Sequence, residues 1–137
     1  MIMKKIKAVI EKGESGIYSV YAPDLKEHAI NGQGKTIDEA KEDFGISFDE
    51  VVAIYTDEGL EIPNELKTSE FEYVYDIASV FDYLKCINVS VFAERAGINA
   101  SLLRQYRNKI TFASETQKRK IETALHGFGE ELTAISL

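Results

Sequence analysis

Seven cations stand between residues 95 and 120: Arg95, Arg104, Arg107, Lys109, Lys118, Arg119 and Lys120. Glu115 is the single acid among them. Guanidinium and ammonium groups bind phosphate oxygens, and an arginine or a glutamine can also bond a base edge through two atoms at once. Residues 79–137 carry 8 basic and 6 acidic side chains, a net of +2, while residues 1–78 carry 8 basic and 17 acidic, a net of −9. The two give the −7 of the whole chain. A basic stretch inside an acidic protein is what phosphate-backbone binding requires, because the acidic part would otherwise repel the duplex.

The elements that must hold these groups are legible over residues 88–109. Asn88 is an N-cap for a helix over Val89–Ala96, and Gly97 supplies the left-handed residue of a tight turn. Ile98 packs under that turn, and Asn99 caps a second helix over 100–108. On the second helix Leu103 and Tyr106, three apart, face the core, leaving Ala100, Ser101, Arg104 and Gln105 on the other side. That arrangement reads as a helix-turn-helix, whose recognition helix presents its N-terminal residues to a major groove. Arg104 then suits guanine and Gln105 adenine, with Ala100 or Leu102 against a thymine methyl. Asn99, Arg107, Asn108, Lys109, Lys118 and Lys120 are the expected phosphate contacts. The competing reading is a helical hairpin with a solvated basic face.

The segment resembles the phage-repressor type of helix-turn-helix, whose recognition helix ends in Asn-Gly. Asn108 and Lys109 stand there, so Asn108 is expected to take the left-handed position. One recognition helix offers too few base contacts for specificity. A homodimer or higher homo-oligomer on a palindromic operator is therefore expected, with half-sites about one helical turn apart. Leu132, Ile135 and Leu137 are candidate dimer contacts. The remaining helices are expected over 79–86, 114–126 and 129–136.

The acidic half is written in a different grammar. Ile6, Ala8 and Ile10 alternate with polar residues as a half-buried strand. A second strand over 17–22 stops at Pro23, and a short third follows over 28–34, making an antiparallel meander. Thr36 and Glu39 form a capping box for a helix whose apolar stripe runs Ile37, Ala40, Phe44, Phe48, Val51, Tyr55. Gly59 is its expected terminator. Phe71, Tyr73, Tyr75 and Ile77 alternate as a fourth strand. The fold expected is α+β: a β-β-β-α-β sheet-and-helix domain over 1–78, then an all-α domain over 79–137.

Two motifs in this half carry a family resemblance. Pro23-Asp24-Leu25 closes the second strand, and Gly34, Thr36, Glu39 and Ala40 stand as Gly-x-Thr-x-x-Glu-Ala at the helix opening. Over residues 5 to 78 the chain resembles the HicB-type antitoxin domain, for which a C-terminal helix-turn-helix is a known companion. Many members continue Pro-Asp-Leu with Pro-Gly; this chain has Lys26 and Glu27 instead. The resemblance implies a partial ribonuclease H-like fold. It also implies a HicA-type, mRNA-cleaving ribonuclease toxin as partner, and repression of the chain's own operon. Candidate toxin contacts are Tyr21, Asp24 and Leu25. A −9 domain is suited in charge to a basic RNA-binding protein.

Other chemistries are not expected. Nuclease activity needs acids converging on a metal, whereas these acids follow the exposed side of one helix, and Asp24 and Asp76 alone make no site. No catalytic residue, cofactor or metal is assigned. His28 and His126 lack a second ligand at zinc spacing, and His126 is expected at a helix end. Cys86, the one cysteine, lies in an apolar helical stretch and is expected to be a buried thiol. Tyr18, Tyr21, Phe71, Tyr73 and Tyr75 are discounted as an RNA-stacking platform because alternation buries about half and the surround is acidic. With no apolar run of spanning length and no apolar signal core, a cytoplasmic protein that avoids membranes is expected. The alternatives are a repressor whose N-terminal domain senses a small molecule and an adaptor that has lost DNA.

Overall fold

Alternation along residues 6–12 survives into the fold. In a computed structural model describing residues 4–67 and 70–137, Ile6, Ala8 and Ile10 are buried and Lys7 is exposed on strand β1, Ile6–Lys12. Strands β2 (Tyr18–Tyr21), β3 (Asn31–Gly34) and β4 (Phe71–Tyr75) complete a four-stranded sheet in the order β3-β2-β1-β4. The first three pair antiparallel, as expected of a meander, while β4 lies parallel to β1. The chain is α+β. It divides into two units, Met1–Ser79 and Val80–Leu137, one residue later than the sequence suggests.

In the first unit, register puts Ile10, Val20 and Gly32 side by side on one sheet face, with Ile6, Ala8, Phe71 and Tyr73. Helix α1, Ile37–Asp57, lies across that face with Ile37, Ala40, Phe44 and Phe48 buried. Phe71 meets both Phe44 and Phe48 edge-on, at 5.1 Å each. Gly32 is required by the closeness of this packing: a Cβ there would stand 2.3 Å from the Phe44 backbone nitrogen. The expected capping box forms in altered detail. Thr36 Oγ1 accepts from Glu39 N–H at 3.1 Å, but the Glu39 carboxylate takes the Lys35 N–H, not that of Thr36. Gly59 ends α1 at φ 69°, and the Leu60 N–H reaches back to the Tyr55 carbonyl.

The fourth strand stops earlier than its alternation implies. Asp76 Oδ1 accepts from the Ser79 N–H and Oδ2 from the Lys12 N–H, so Ile77 opens helix α2, Ile77–Tyr83, and does not extend β4. Beyond it the chain turns, and Cys86 is exposed, contrary to expectation. It stands between Lys85 and Ile87, and Phe81 is the residue of this stretch that turns inward, meeting Phe92 edge-on at 5.6 Å.

Helices α3 (Val89–Ala96), α4 (Ala100–Arg107) and α5 (Glu115–Thr133) make up the rest of the second unit. The two short helices expected over 114–126 and 129–136 are one. Gly127 and Gly129 each weaken a helix by about 1 kcal/mol but keep their N–H groups, so the ladder continues. Ile121 and Ala124 bury against the unit, and Arg95 of α3 pairs with Glu131 beyond the glycines. His126 therefore sits mid-helix and exposed. Ile135 and Leu137 lie past the helix end, and with Leu132 they are exposed. Among the described residues no helix is long and apolar enough to cross a membrane.

Candidate nucleic-acid interface

The α3–α4 pair is fixed at each joint by a side chain or a backbone bond. Asn88 Oδ1 accepts from the Val91 N–H at 3.1 Å and starts α3. Gly97 closes it in the left-handed conformation (φ 68°, ψ 33°), a geometry that a Cβ would strain. Ile98, buried, returns its N–H to the Ala93 carbonyl. Asn99 Oδ1 then accepts from the Ser101 and Leu102 N–H groups at the start of α4. On α4 Leu103 is fully buried and Tyr106 is 7% exposed.

With that side sealed, Ser101 and Arg104 project outward, and Ala100, Leu102 and Gln105 lie half-buried along the flanks. Of the four side chains expected at base edges, two are thus fully presented and two are partly screened. Arg104 is also held from behind: its Nη1 donates to Ser90 Oγ of α3 at 2.7 Å. One donor is used, and the rest of the guanidinium fork remains available. Ser90 has no signature in the sequence, because the contact joins two helices across fourteen residues and follows neither helix's periodicity.

The end of α4 departs from expectation. Asn108 is the C-cap at φ −89°, and Lys109 takes the left-handed position at φ 59°. The helix closes by bonds from Lys109 N–H to Tyr106 O and from Ile110 N–H to Gln105 O. Those bonds place the left-handed residue one step after Asn108, and a lysine there costs about 1 kcal/mol relative to glycine. Ile110 and Phe112, just beyond, are 72% and 78% exposed.

The remaining candidate phosphate contacts are scattered in their surroundings. Asn99, Asn108 and Lys109 are exposed around the ends of α4, and Arg107 is half-buried. Lys118 forms a local ion pair with Glu115 at 3.3 Å. Lys120 lines an open groove with Arg95 and Arg119. Arg95 grips Glu131 through both terminal nitrogens, at 3.2 and 2.7 Å, and lies over the Phe128 ring. That bond holds the Glu131 carboxyl below its ordinary range and stabilises the charged arginine.

In the first unit, Tyr21 and Leu25 are half-buried and Asp24 is exposed. The Tyr21 hydroxyl donates to Glu11 Oε1 at 2.8 Å, and this bond, with burial, raises its pKa. The segment from 22 to 30 is tethered by His28, whose Nδ1 meets Glu65 Oε2 at 2.6 Å and whose Nε2 meets the Tyr55 hydroxyl at 2.7 Å. The bond to His28 is the main reason that the Glu65 carboxyl sits below its ordinary range. A histidine read from sequence alone as unremarkable is the hub of this loop. Asp76 is occupied with two backbone N–H groups. Among the described residues no group of three or more His, Cys, Asp or Glu side chains is placed to hold a metal. Set beside protein-family models, curated proteins and solved structures, the chain matches none.

Proposed function

We propose that this chain is a non-enzymatic, cytoplasmic antitoxin of the HicB type, with a partial ribonuclease H-like domain followed by a helix-turn-helix. In this reading the first unit occludes a basic, HicA-type ribonuclease, and the second binds operator DNA as a dimer to repress the shared operon. One observation carries it. Helix α4 seals Leu103 and Tyr106 inside while Ser101 and Arg104 face out, on a helix pair closed by a left-handed Gly97 and capped by Asn88 and Asn99. A recognition helix needs that division of faces, since its inner side must be rigid for its outer side to read bases.

Charge supports the same division of labour. The cations gather within 95–120, while residues 1–78 bear the acidic excess that a basic partner would meet. The mixed sheet backed by one helix supports the domain resemblance, and Asp76, spent on backbone N–H groups, supports a non-catalytic role. The test has two arms. Duplex DNA from upstream of the gene should be retarded in a gel, and retardation should weaken steeply with salt. Affinity capture from the native host should return a small basic protein. Recovery of none, together with a melting temperature that a metabolite raises, replaces the antitoxin with a ligand-sensing repressor.

A further inference from the structure

Between the last turn of α3 and the N-terminal half of α5 lies an open groove of about 580 Å³ to which α4 contributes no residue. Thr116, Arg119, Lys120 and Thr123 line it from α5, at the three- and four-residue steps that gather side chains on one helix face. Arg95 lines it from α3. Its remaining lining is small, two alanines and Gly127, so the space is open because no large side chain enters it. No acid is among the lining residues.

Of the three cations that line this groove, Arg95 is paired with Glu131, and the other two are uncompensated. Among the described residues the side chains of Arg119 and Lys120 have no hydrogen-bond or ion-pair partner, although they are adjacent cations on one cavity wall. They are not needed to neutralise the end of α3, whose carbonyls at Ala93 and Glu94 already receive the N–H groups of Gly97 and Ile98. Arg95 shows what the groove's edge accepts: an oxyanion, the Glu131 carboxylate, taken through two parallel bonds. Two hydroxyl donors and two free cations, one of them a planar fork, match a tetrahedral oxyanion of higher charge.

We propose that the α3–α5 groove is a phosphate-binding site, with Arg119 and Lys120 as charge partners and Thr116 and Thr123 as hydroxyl donors. The phosphate comes either from a free phosphorylated small molecule or from a DNA backbone passing outside α4. Only the second source rests on the DNA-binding reading.

The full chain is titrated with pyrophosphate by calorimetry, and separately with a non-cognate duplex across a salt series. Three proteins are compared: wild type, Arg119→Gln/Lys120→Gln, and Gly127→Leu. The Gly127→Leu variant fills the groove without changing charge, and nothing within 4 Å obstructs its Cβ. A free-anion site gives saturable pyrophosphate binding that falls about ten-fold or more in both variants. A backbone site gives no pyrophosphate isotherm, but the slope of log K against log salt falls by roughly one to two in the double variant. In that arm Gly127→Leu also weakens DNA. If pyrophosphate does not bind and the salt slope is unchanged, the proposal is overturned. It is overturned too if Gly127→Leu binds phosphate or DNA as wild type does, since diffuse positive charge would then suffice. Wild-type failure to bind any duplex, with pyrophosphate bound, refutes the DNA reading and leaves the groove standing.

Discussion

Replacing Gly32 by alanine tests the joint on which the first unit is built. The added Cβ would sit 2.3 Å from Phe44 N, 2.6 Å from Ala40 O and 2.7 Å from Phe44 Cα, all backbone atoms of α1. Ordinary contact begins near 3.4 Å, so β3 and α1 must part by about 1 Å, and a helix backbone cannot rotate out of the way as a side chain can. Overpacking of this kind costs about 1–3 kcal/mol, and parting the helix also loosens Phe44, which is fully buried. The intrinsic gain of alanine over glycine in a strand, about 0.5–1 kcal/mol, offsets only part. We expect a net loss of about 2 kcal/mol, a sizeable fraction of the stability of a unit this size. Gly45→Ala is the control: it lies mid-helix with nothing within 4 Å, so it should gain up to about 1 kcal/mol. Urea unfolding followed by tyrosine fluorescence suits the measurement. The chain has no tryptophan, and five of its seven tyrosines (Tyr18, Tyr21, Tyr55, Tyr73 and Tyr75) lie in this unit. A Gly32→Ala unfolding free energy within about 0.5 kcal/mol of wild type would refute the close approach.

Three further outcomes follow from local geometry. Lys109→Gly relieves a left-handed lysine at φ 59°, so thermal unfolding should show up to about 1 kcal/mol of stabilisation while DNA affinity falls with the lost charge. Ser90→Ala frees the Arg104 guanidinium; discrimination at its base pair should drop several-fold in competition gel shifts, with the salt slope unchanged and Ser90→Thr restoring it. Glu65 is held below the ordinary carboxylate range by His28, so its contribution is present above that range and is lost as pH falls through its depressed folded value. Between about pH 5 and about pH 3, Glu65→Gln should therefore lose less melting temperature than wild type; an equal or steeper decline contradicts the tether.

What was legible in the sequence was whatever repeats locally. The α1 stripe, the meander, the Thr36 cap, the Gly59 and Gly97 turns, and the inward pair Leu103 and Tyr106 all follow from period and cap. What escaped depends on partners distant along the chain. Asp76 ends β4 through Lys12, sixty-four residues away, and no alternation reveals that. The break expected between 126 and 129 falls at Gly127, a poor helix former, yet the helix runs through it, held by burial on one side and by Arg95 at Glu131. Cys86 is expected to be buried because Phe81, Leu84 and Ile87 read as one apolar helical stretch, but the helix ends earlier, at Tyr83. Lys109 holds the left-handed place expected of Asn108 because Asn108 is the C-cap, and the left-handed residue is the one that follows the cap. The α4 face was largely legible; Ser90 behind Arg104 and the groove around Arg119 were not.

The central claim is that α4 reads DNA with its exposed face. It is tested most directly by fluorescence anisotropy of wild type, Arg104→Ala and Lys109→Ala on upstream and scrambled duplexes over a salt series. We expect wild type to prefer the upstream duplex, Arg104→Ala to lose about 1–3 kcal/mol of that preference, and Lys109→Ala to weaken both duplexes alike. Equal wild-type affinity for the two duplexes, or identical behaviour of the two variants, contradicts it.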